Sequence, residues 1–457
     1  MVVIRRFFCA GFIFVFVLAA AGLRPAVAQV KVTDIGTING RSSIGFGVNH
    51  AGDVAGFSYF TGTVGSLNGL PSEVFLPHGV LYNGGVLHDL GAIEGNPDCS
   101  PLGCQSEAFG VNDSHWVVGW TDNGHLGTLP VLWLPAAVAG GKAGINVLPA
   151  LSPFHGSQAT AINNAGQIVG FSIPGGAGFR AILWQLGAGG PTLTDLGTLR
   201  SDNQGSALAS GINDLGQVVG EAADENGMQQ GFLYLPAPAY GLPAGMNNLT
   251  PSQTFGAGAM SVNNHGEVVG ALASGVPFVW LPAPAYGLPS GFSALALPKN
   301  FLAFGPTGIS DGGQIVGTAF VVTNPSTRAF KRTAGAWRNG RWILLNDLLP
   351  GNSPWDLFSA EAVTHVGKTT RITGSGLLSG VTDVTGQTPA GHGYVLDVTC
   401  TGDLTNDGVV DQTDLNIVLG QLGQSVPPGT GGDLNGDGVV NQQDLATLAA
   451  QIHHPCL

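Results

Sequence analysis

The sequence is poor in charge. Only 10% of its 457 residues are Asp, Glu, Lys or Arg, and 16 basic residues face 29 acidic ones. No basic patch runs along it, which makes nucleic acid and anionic membranes poor partner predictions. The 11 histidines are scattered and never fall at metal-ligand spacing. No nucleophile elbow, phosphate loop or pair of catalytic carboxylates stands out.

Long hydrophobic runs are scarce too, and the one example lies at the start. Arg5 and Arg6 precede an apolar run from Phe7 to Ala21, and Ala26-Val27-Ala28 gives a small-x-small cleavage pattern. The run is short for a membrane span. We expect residues 1–28 to be a signal peptide, cleaved after Ala28, and the protein to be secreted with no membrane insertion. An uncleaved anchor is the alternative.

Cysteine is rare, and outside this leader it comes in two local pairs. Cys99 and Cys104 flank a short loop containing Pro and Gly, and Cys400 and Cys456 bracket the last segment of the chain. In an oxidising compartment small domains gain stability from such bridges. We therefore predict two disulfides, Cys99–Cys104 and Cys400–Cys456.

Residues 29–398 are built from a repeat of about 50 residues. Its most regular part is a hydrophobic-Asn-x-x-Gly turn followed by an apolar strand that ends in Gly. Six copies read VNHAGDVAG (48–56), VNDSHWVVG (111–119), INNAGQIVG (162–170), INDLGQVVG (212–220), VNNHGEVVG (262–270) and ISDGGQIVG (309–317), and a degenerate seventh ends at Gly374. Short β-type runs at this period predict propeller blades.

One repeat shows how a four-stranded blade would form. We predict strands over 157–162, 167–172, 180–184 and 192–198, with the tight turn at Asn163–Gly166, where Asn and Gly tolerate positive φ. The strand before each Asn is rich in small residues, as crowding at a propeller axis requires. The repeated Asn residues are interpreted as caps of their own turns.

The two ends of the repeat region match different strands of a blade. VKVTDIGT (30–37) resembles a fourth strand and HGYVLDV (392–398) a third strand, so pairing them would close the ring. The sequence thus predicts an all-β, seven-bladed β-propeller closed by its N-terminal strand. A parallel β-solenoid is the alternative. The turn and the LWQ (183–185) and DLGTL (195–199) segments resemble the HAF-type extracellular repeat, which implies no defined activity.

Three repeats carry Pro-rich insertions between their third and fourth strands, over 133–144, 234–245 and 280–291. Tyr240 and Tyr286 are predicted to be exposed aromatics on two of these loops. Stiff loops with aromatic side chains suit recognition of a carbohydrate or protein ligand. Packing of the loops on neighbouring blades is the alternative.

The last segment, residues 399–457, holds two near-copies of one acidic loop about 30 residues apart. DLTNDGVVDQTDL (403–415) and DLNGDGVVNQQDL (433–445) each place oxygen-bearing groups at positions 1, 3, 5, 7, 9 and 12, with Gly at position 6. This spacing suits a hard cation such as Ca²⁺. The predicted ligands are Asp403, Thr405, Asp407, Asp411, Asp414 and the Val409 carbonyl in the first loop, and Asp433, Asn435, Asp437, Asn441, Asp444 and the Val439 carbonyl in the second. Each loop leads into an apolar run at helical spacing.

This pair of loops resembles a type I dockerin. The resemblance implies two bound Ca²⁺ ions, a small helical domain and a cohesin-like partner on an extracellular or cell-surface scaffold. The family's partner contacts fall here on Gln412, Thr413, Gln442 and Gln443. The basic pair common further along in the family is replaced by Leu419, Gly420, Ala449 and Ala450.

Two functions follow from these patterns. The first is a secreted calcium-binding protein whose tail docks a non-catalytic recognition or structural propeller onto a partner. The alternative is a polysaccharide-degrading enzyme, a glycoside hydrolase or lyase, with an appended dockerin. The resemblance supports the second, and the lack of a visible acid pair counts against it.

Overall fold

The protein forms seven four-stranded antiparallel sheets in a computed structural model, and they are followed by two short helices in the described tail. The structure describes residues 29–38, 42–67, 70–93, 104–122, 127–152, 155–175, 178–251, 256–327, 329–382, 390–405, 408–452 and 456–457. The predicted seven-bladed β-propeller is confirmed. The predicted signal peptide lies outside the described residues. No helix in the described ranges is both long and apolar enough to span a bilayer.

The first four blades follow one another along the chain, innermost strand first. Blade one consists of β2 (Ser43–Val48), β3 (Val54–Leu67), β4 (Leu70–Asn83) and β5 (Val86–Asp89). Blade two consists of β6 (Ser106–Val111), β7 (Val117–Asp122), β8 (Thr128–Leu134) and β9 (Gly144–Val147). Blade three consists of β10 (Ser157–Ile162), β11 (Gln167–Ser172), β12 (Arg180–Gly187) and β13 (Gly190–Asp195). Blade four consists of β14 (Ala207–Ile212), β15 (Val218–Ala223), β16 (Gln229–Leu235) and β17 (Gly245–Asn248).

The last three blades complete the ring. Blade five consists of β18 (Ala257–Val262), β19 (Val268–Leu272), β20 (Pro277–Leu281) and β21 (Gly291–Ala294). Blade six consists of β22 (Phe301–Ile309), β23 (Ile315–Asn324), β24 (Ala329–Arg338) and β25 (Arg341–Leu344), followed by a 3₁₀ turn at Leu345–Leu348. Blade seven consists of β26 (Trp355–Val366), β27 (Thr369–Leu378), β28 (Ala390–Thr399) and, as its outer strand, β1 (Gln29–Asp34).

The first and last strands of the ring pair as the sequence predicts. β1 lies antiparallel to β28, with Val32 opposite Leu396 and Thr33 opposite Val395. Just beyond β1, Ile35 donates its N–H to the Gly393 carbonyl at 3.1 Å and is only 2% exposed. The N-terminal strand therefore covers the edge that β28 would otherwise leave open.

The blade used to illustrate the repeat has nearly the predicted strands. β10 and β11 have the predicted bounds, whereas β12 extends to Gly187 and β13 begins at Gly190 and ends at Asp195. β12 is longer and β13 begins earlier than predicted because a two-residue turn joins them directly, and Gly190 after this turn adopts a φ of +103°.

The innermost strands are as crowded as their small residues predict. A Cβ added to Gly47 would lie 2.6 Å from the Phe109 carbonyl oxygen of the next blade. Each innermost strand also carries a bulged residue at one equivalent position, which bends the strand at the axis, and β22 and β26 each carry a second register shift. The bulged residues are Phe46, Phe109, Thr160, Ser210, Met260, Thr307 and Glu361.

The hydrophobic core lies between adjacent blades. Between blades two and three, the fully buried Trp184 packs with Leu132 and Val118 in one cluster. Its indole Nε1 donates to the Pro149 carbonyl at 2.7 Å, which satisfies the ring's one polar atom. Burying a side chain of this kind contributes roughly 1.5–3 kcal/mol.

Candidate functional site

The tail folds as two loop–helix units. Helix α1 spans Gln412–Gly420 and helix α2 spans Gln442–Ala449, each beginning directly after its acidic loop. Position 9 of each loop caps its helix, and the position-12 carboxylate accepts the cap residue's own N–H in return. The two caps are Asp411 and Asn441. The loop geometry and the helix start are therefore built from the same residues.

The first loop draws two carboxylates inward. Asp403 is 2% exposed, and its Oδ2 accepts the Gly408 N–H at 3.0 Å. Asp414 is fully buried, and its Oδ1 accepts the N–H groups of Leu404 and Thr405 at 2.8 and 2.9 Å. The Thr405 hydroxyl donates to the same oxygen at 3.1 Å. Asp407 lies outside the described residues.

The second loop repeats this arrangement. Asp433 is 1% exposed, and Asp444 is fully buried, with its Oδ1 accepting the N–H groups of Leu434 and Asn435 at 2.8 and 3.1 Å. Asn435 and Asn441 both direct their Nδ2 atoms toward Asp437, at 2.9 and 3.5 Å. Gly408 and Gly438, at position 6, have φ values of +88° and +86°, which a side chain would strain.

Backbone donors set the electrostatics at Asp433. Burial alone would raise its pKa, but N–H groups of Gly429, Gly438, Gly436 and Asp437 point at the carboxylate and lower the pKa below its ordinary value. The loop therefore holds its position-1 side chain as an anion.

The tail lacks an internal countercharge for these acids. Residues 400–457 contain seven Asp but no Glu, Lys or Arg. Two carboxylates are buried in each loop, and like charges at close range are costly without a cation. An oxygen-only donor set fits Ca²⁺ or Mg²⁺ rather than a softer metal. Across the described ranges no three His, Cys, Asp or Glu side chains form a metal cluster by themselves. The fit therefore depends on the Asn, Thr and carbonyl oxygens as well.

A disulfide ties the two ends of the tail together. Cys400 and Cys456 are bridged, as predicted, with their Cα atoms 5.8 Å apart. The bridge lies in a small hydrophobic cluster with Val410, Val418 and Val440. The Cys99–Cys104 pairing stays a prediction, because Cys99 lies outside the described residues.

A family model described as "Dockerin type I domain" matches residues 401–453. The C-terminal segment carries a type I dockerin domain. The match covers the two loops and both helices and stops short of the propeller. No curated protein matches the chain.

Solved propellers resemble the rest of the chain only distantly. YCF48 from Cyanidioschyzon merolae is 9% identical, with a TM-score of 0.42, and covers 80% of this chain and 98% of its own. The β-propeller domain of the Trilobed protease from Pyrococcus furiosus is 12% identical, with a TM-score of 0.33, and covers 69% of this chain and 100% of its own. These values carry no argument about function.

The residues predicted for partner contact lie on the surface of the dockerin domain. Gln412, Thr413, Gln442 and Gln443 are all exposed, at the first turns of α1 and α2. The Gln443 Oε1 accepts from Asn435 Nδ2 at 3.0 Å, which links this position to the second loop.

In the propeller, the repeated Asn residues act between blades as well as within them. Each Oδ1 accepts N–H groups of its own turn, as predicted: Asn213 accepts from Leu215 and Gln217 at 3.1 and 2.9 Å. Each Nδ2 also donates to a carbonyl of the next blade. The pairs are Asn49 to Asn112 (3.0 Å), Asn112 to Asn163 (3.1 Å), Asn163 to Asn213 (2.9 Å), Asn213 to Asn263 (2.8 Å) and Asn263 to Ser310 (2.9 Å).

The seam between blades seven and one uses an arginine instead. Arg371 Nη1 donates to the His50 carbonyl at 2.8 Å, and its Nε pairs with Asp397 at 2.7 Å. Arg371 was not predicted, since the seventh repeat departs from the Asn pattern and this arginine lies eight residues beyond its Val363.

The turns surround a polar pocket at the propeller axis. Its rim carries the residues that follow the Asn position, namely His50, Asp113, Asn164, Asp214, Asn264, Asp311 and His365. Their backbone N–H groups donate to carboxylates of the next blade: Asn164 N–H to Asp214 Oδ1 and Asn264 N–H to Asp311 Oδ1, both at 2.8 Å. The rim's hydrogen bonds thus serve to join the blades.

The Pro-rich insertions of blades four and five pack on the neighbouring blades, which is the alternative that the sequence left open. Tyr286 is half-buried, so its predicted exposure is wrong, whereas Tyr240 is exposed as predicted. The Tyr286 hydroxyl donates to Glu267, at 2.8 Å to Oε2, and its ring contacts Trp337 edge-on at 6.0 Å. Tyr240 remains 38% exposed, but its hydroxyl accepts from Gln217 at 2.9 Å. Both have a φ of +56°, which turns each ring onto the following blade.

Acids with raised pKa values do not gather at one place. Burial raises the pKa of Glu107, Glu221 and Glu361, against a Trp120 hydrogen bond in the first case and a Ser359 hydrogen bond and the Arg332 charge in the third. They lie on blades two, four and seven respectively. Glycoside cleavage needs two carboxyls on one bond, and these three residues supply no such pair.

Proposed function

We propose that the protein is a secreted calcium-binding protein whose dockerin domain docks a non-catalytic propeller onto a partner. The partner would be a cohesin-like domain of an extracellular or cell-surface scaffold. The observation that carries this proposal is the pair of matched loops, each with two buried carboxylates and a helix start built on the same residues. A dockerin domain implies protein–protein docking, and the exposed first turns of α1 and α2 supply a surface for it.

Each loop would hold one Ca²⁺ ion. In the first, the ligands would be Asp403, Thr405, Asp407, Asp411, Asp414 and the Val409 carbonyl. In the second, they would be Asp433, Asn435, Asp437, Asn441, Asp444 and the Val439 carbonyl. When bound, the ion supplies positive charge to the acidic loop. Only a folded loop brings all these oxygens together, so Ca²⁺ binding and folding of the loops would be coupled.

Contact with the partner would involve Gln412, Thr413, Gln442 and Gln443. These side chains are uncharged amides and a hydroxyl, so they can form hydrogen bonds with a partner surface of either charge. The propeller would present its blades as a recognition or structural surface, with its carbohydrate or protein ligand unassigned. Secretion would follow cleavage after Ala28, and N-terminal sequencing of the exported protein tests that step.

The docking proposal is tested by capturing proteins from the producing cell's surface fraction on the immobilised protein, with either about 2 mM Ca²⁺ or excess chelator. A Ca²⁺ concentration of about 2 mM saturates sites of micromolar affinity. We expect one or more scaffold proteins with cohesin-like domains to be retained only with Ca²⁺. A variant with Ala at Gln412, Thr413, Gln442 and Gln443 should lose most of this capture while still binding Ca²⁺. Capture unaffected by chelator and by these substitutions would refute docking through this surface.

A further inference from the structure

The dockerin domain is joined to the propeller by a buried ion pair. Arg338, the last residue of β24, places its Nη1 3.3 Å from Oδ2 of Asp403. The two side chains are 6% and 3% exposed. Asp403 is position 1 of the first acidic loop, so a blade-six residue reaches the cation-binding segment directly.

The contact uses the oxygen that the loop itself uses for its turn. Asp403 Oδ2 accepts the Gly408 N–H at 3.0 Å as well as the Arg338 guanidinium. A Cβ added to Gly408 would lie 3.1 Å from Arg338 Cδ, so the turn and the arginine pack closely. Two donors on one oxygen fix the orientation of the whole carboxylate.

The second loop provides an internal comparison. Asp433 Oδ2 accepts the Gly438 N–H at 2.8 Å, as Asp403 does from Gly408, and it accepts a second N–H from Gly429 at 3.0 Å. Both donors belong to the tail's own backbone. Arg338 therefore takes, in the first loop, the place that Gly429 has in the second.

Further contacts hold the same part of the tail on blade seven. Lys368 Nζ donates to the Asp403 carbonyl at 2.8 Å, and Cys400 donates its N–H to the Lys368 carbonyl at 3.0 Å. At the other end, Thr370 Oγ1 donates to the Leu457 carbonyl at 2.8 Å. Leu457 is 3% exposed and belongs to the hydrophobic cluster between blades six and seven. The first loop thus lies on the propeller surface.

We propose that Arg338 is a positioning residue for the first loop, which holds Asp403 from the propeller side so that Ca²⁺ binding there and attachment of the tail to blades six and seven strengthen one another. This rests on the proposed calcium binding. Coupling of this kind is reciprocal: whatever the cation adds to the attachment, the attachment adds to the affinity. Among the described residues, no charged side chain of the propeller pairs with an acid of the second loop.

Arg338 could act in the opposite sense, because a guanidinium near a dication repels it. The two roles predict opposite results. A positioning residue lowers the Ca²⁺ affinity when it is removed, by roughly 10- to 100-fold for partners that orient a metal ligand. A competitor raises it. The burial of the pair and its use of the same oxygen as the turn favour the positioning role.

The experiment uses the full chain with Asp433→Asn and Asp437→Asn, so that only the first loop reports in calorimetric Ca²⁺ titration. We expect Arg338→Met to weaken this site roughly 10- to 100-fold. Arg341→Met, at the exposed start of β25 three residues along, removes the same charge and should change affinity by less than about twofold. If Arg338→Met does not fold, Arg338→Gln, neutral but able to donate, carries the same comparison.

Hydrogen exchange supplies the second readout. In the unaltered protein Ca²⁺ should slow exchange at the Cys400 amide, and Arg338→Met should abolish most of this effect. Unchanged or tighter Ca²⁺ binding in the folded Arg338 variant, or an unchanged exchange response, overturns the proposal while leaving calcium binding intact. Absence of Ca²⁺ binding in the unaltered protein overturns both.

Discussion

The repeated Asn shows how one side chain can stabilise two levels of structure. Its Oδ1 accepts N–H groups of its own turn, while its Nδ2 donates to a buried carbonyl of the neighbouring blade, as at Asn213 and Asn263. At 4% exposure, Asn213 leaves water little access to either contact. Loss of the amide would therefore leave several buried backbone groups without partners.

Asn213→Ala should destabilise the propeller by about 2–4 kcal/mol, about 1 from the lost turn cap and 1–3 from unsatisfied buried groups. Urea denaturation measures the change. Asn300→Ala, at an exposed position, is the matched control and should stay within about 0.5 kcal/mol. Equal stability of both variants would mean that the inter-blade bonds contribute nothing.

Glu361 offers a pH-dependent test at a single residue. Burial raises its pKa, only partly offset by the hydrogen bond with Ser359 and the Arg332 charge. Since the folded state favours the protonated form, its stabilising effect is complete below the unfolded pKa and is lost as pH rises through the folded pKa. Glu361→Gln should therefore gain stability relative to the unaltered protein between about pH 4 and 7, near the ordinary Glu pKa and above it.

Urea unfolding at about pH 4 and about pH 7 measures the difference in stability between Glu361→Gln and the unaltered protein. The exposed Glu225→Gln is the control. A Glu361→Gln difference that is constant with pH, or that moves against the variant, would contradict the burial argument.

The sequence pattern predicted that each Asn caps its own turn. It predicted neither the hydrogen bond to the next blade nor Arg371 at the seam. A turn cap is local, so the spacing of Asn163 and Gln167 reveals it. The carbonyl that receives Nδ2 lies some 50 residues away, and only the ring's closure determines which one it is. Arg371 could not be predicted for the same reason.

At the scale of whole elements, the ring depends on β1, the N-terminal strand that closes it by pairing with β28. β1 contributes Val30 and Val32 to the cluster between blades six and seven, and Ile35 is buried beyond its end. The sequence predicted this strand because its DIG ending repeats the DLG of other fourth strands. It left two alternatives open for the Pro-rich loops, exposed aromatics or packing on neighbouring blades, since nothing in a loop's composition shows which surface it will contact.

Removing residues 29–36 should lower the unfolding temperature by several degrees, because roughly 1.5–3 kcal/mol is lost for each buried aliphatic side chain. The bare edge of β28 should also promote association between molecules. Differential scanning calorimetry and light scattering measure the two effects.

A synthetic peptide of residues 29–37 added in excess should restore most of the lost stability. A peptide with Pro in place of Val32 is the control, since it cannot pair along the strand. A truncated protein as stable and monomeric as the parent would show that β1 does not hold the ring closed.

For the molecule as a whole, the buried Leu457, the Lys368–Asp403 hydrogen bond and the Arg338–Asp403 pair join two modules of opposite character. The propeller buries its apolar residues between blades. The dockerin domain has a small core, and residues 400–457 contain seven Asp but no Lys or Arg. Its acidic loops were recognisable from sequence because their ligands lie within a dozen residues of each other. Arg338 was not, since it lies 65 residues before Asp403.

This division predicts how the protein responds to a chelator. At a free Ca²⁺ concentration of 100 times Kd, binding stabilises the folded loops by about 2.7 kcal/mol, or about 100-fold in an exchange-limiting equilibrium. Removing Ca²⁺ should therefore speed amide exchange in residues 403–452 by up to this factor. Blades two to five, which lie away from the tail contacts at Arg338, Lys368 and Thr370, should exchange at unchanged rates because their described residues contain no group of three His, Cys, Asp or Glu side chains that could hold a metal. Mass spectrometry of exchanged peptides measures both regions in one sample, and restoring Ca²⁺ should reverse the change. Exchange in the tail that ignores the chelator would contradict calcium-dependent order, whereas faster exchange throughout the propeller would show that the two modules unfold as one.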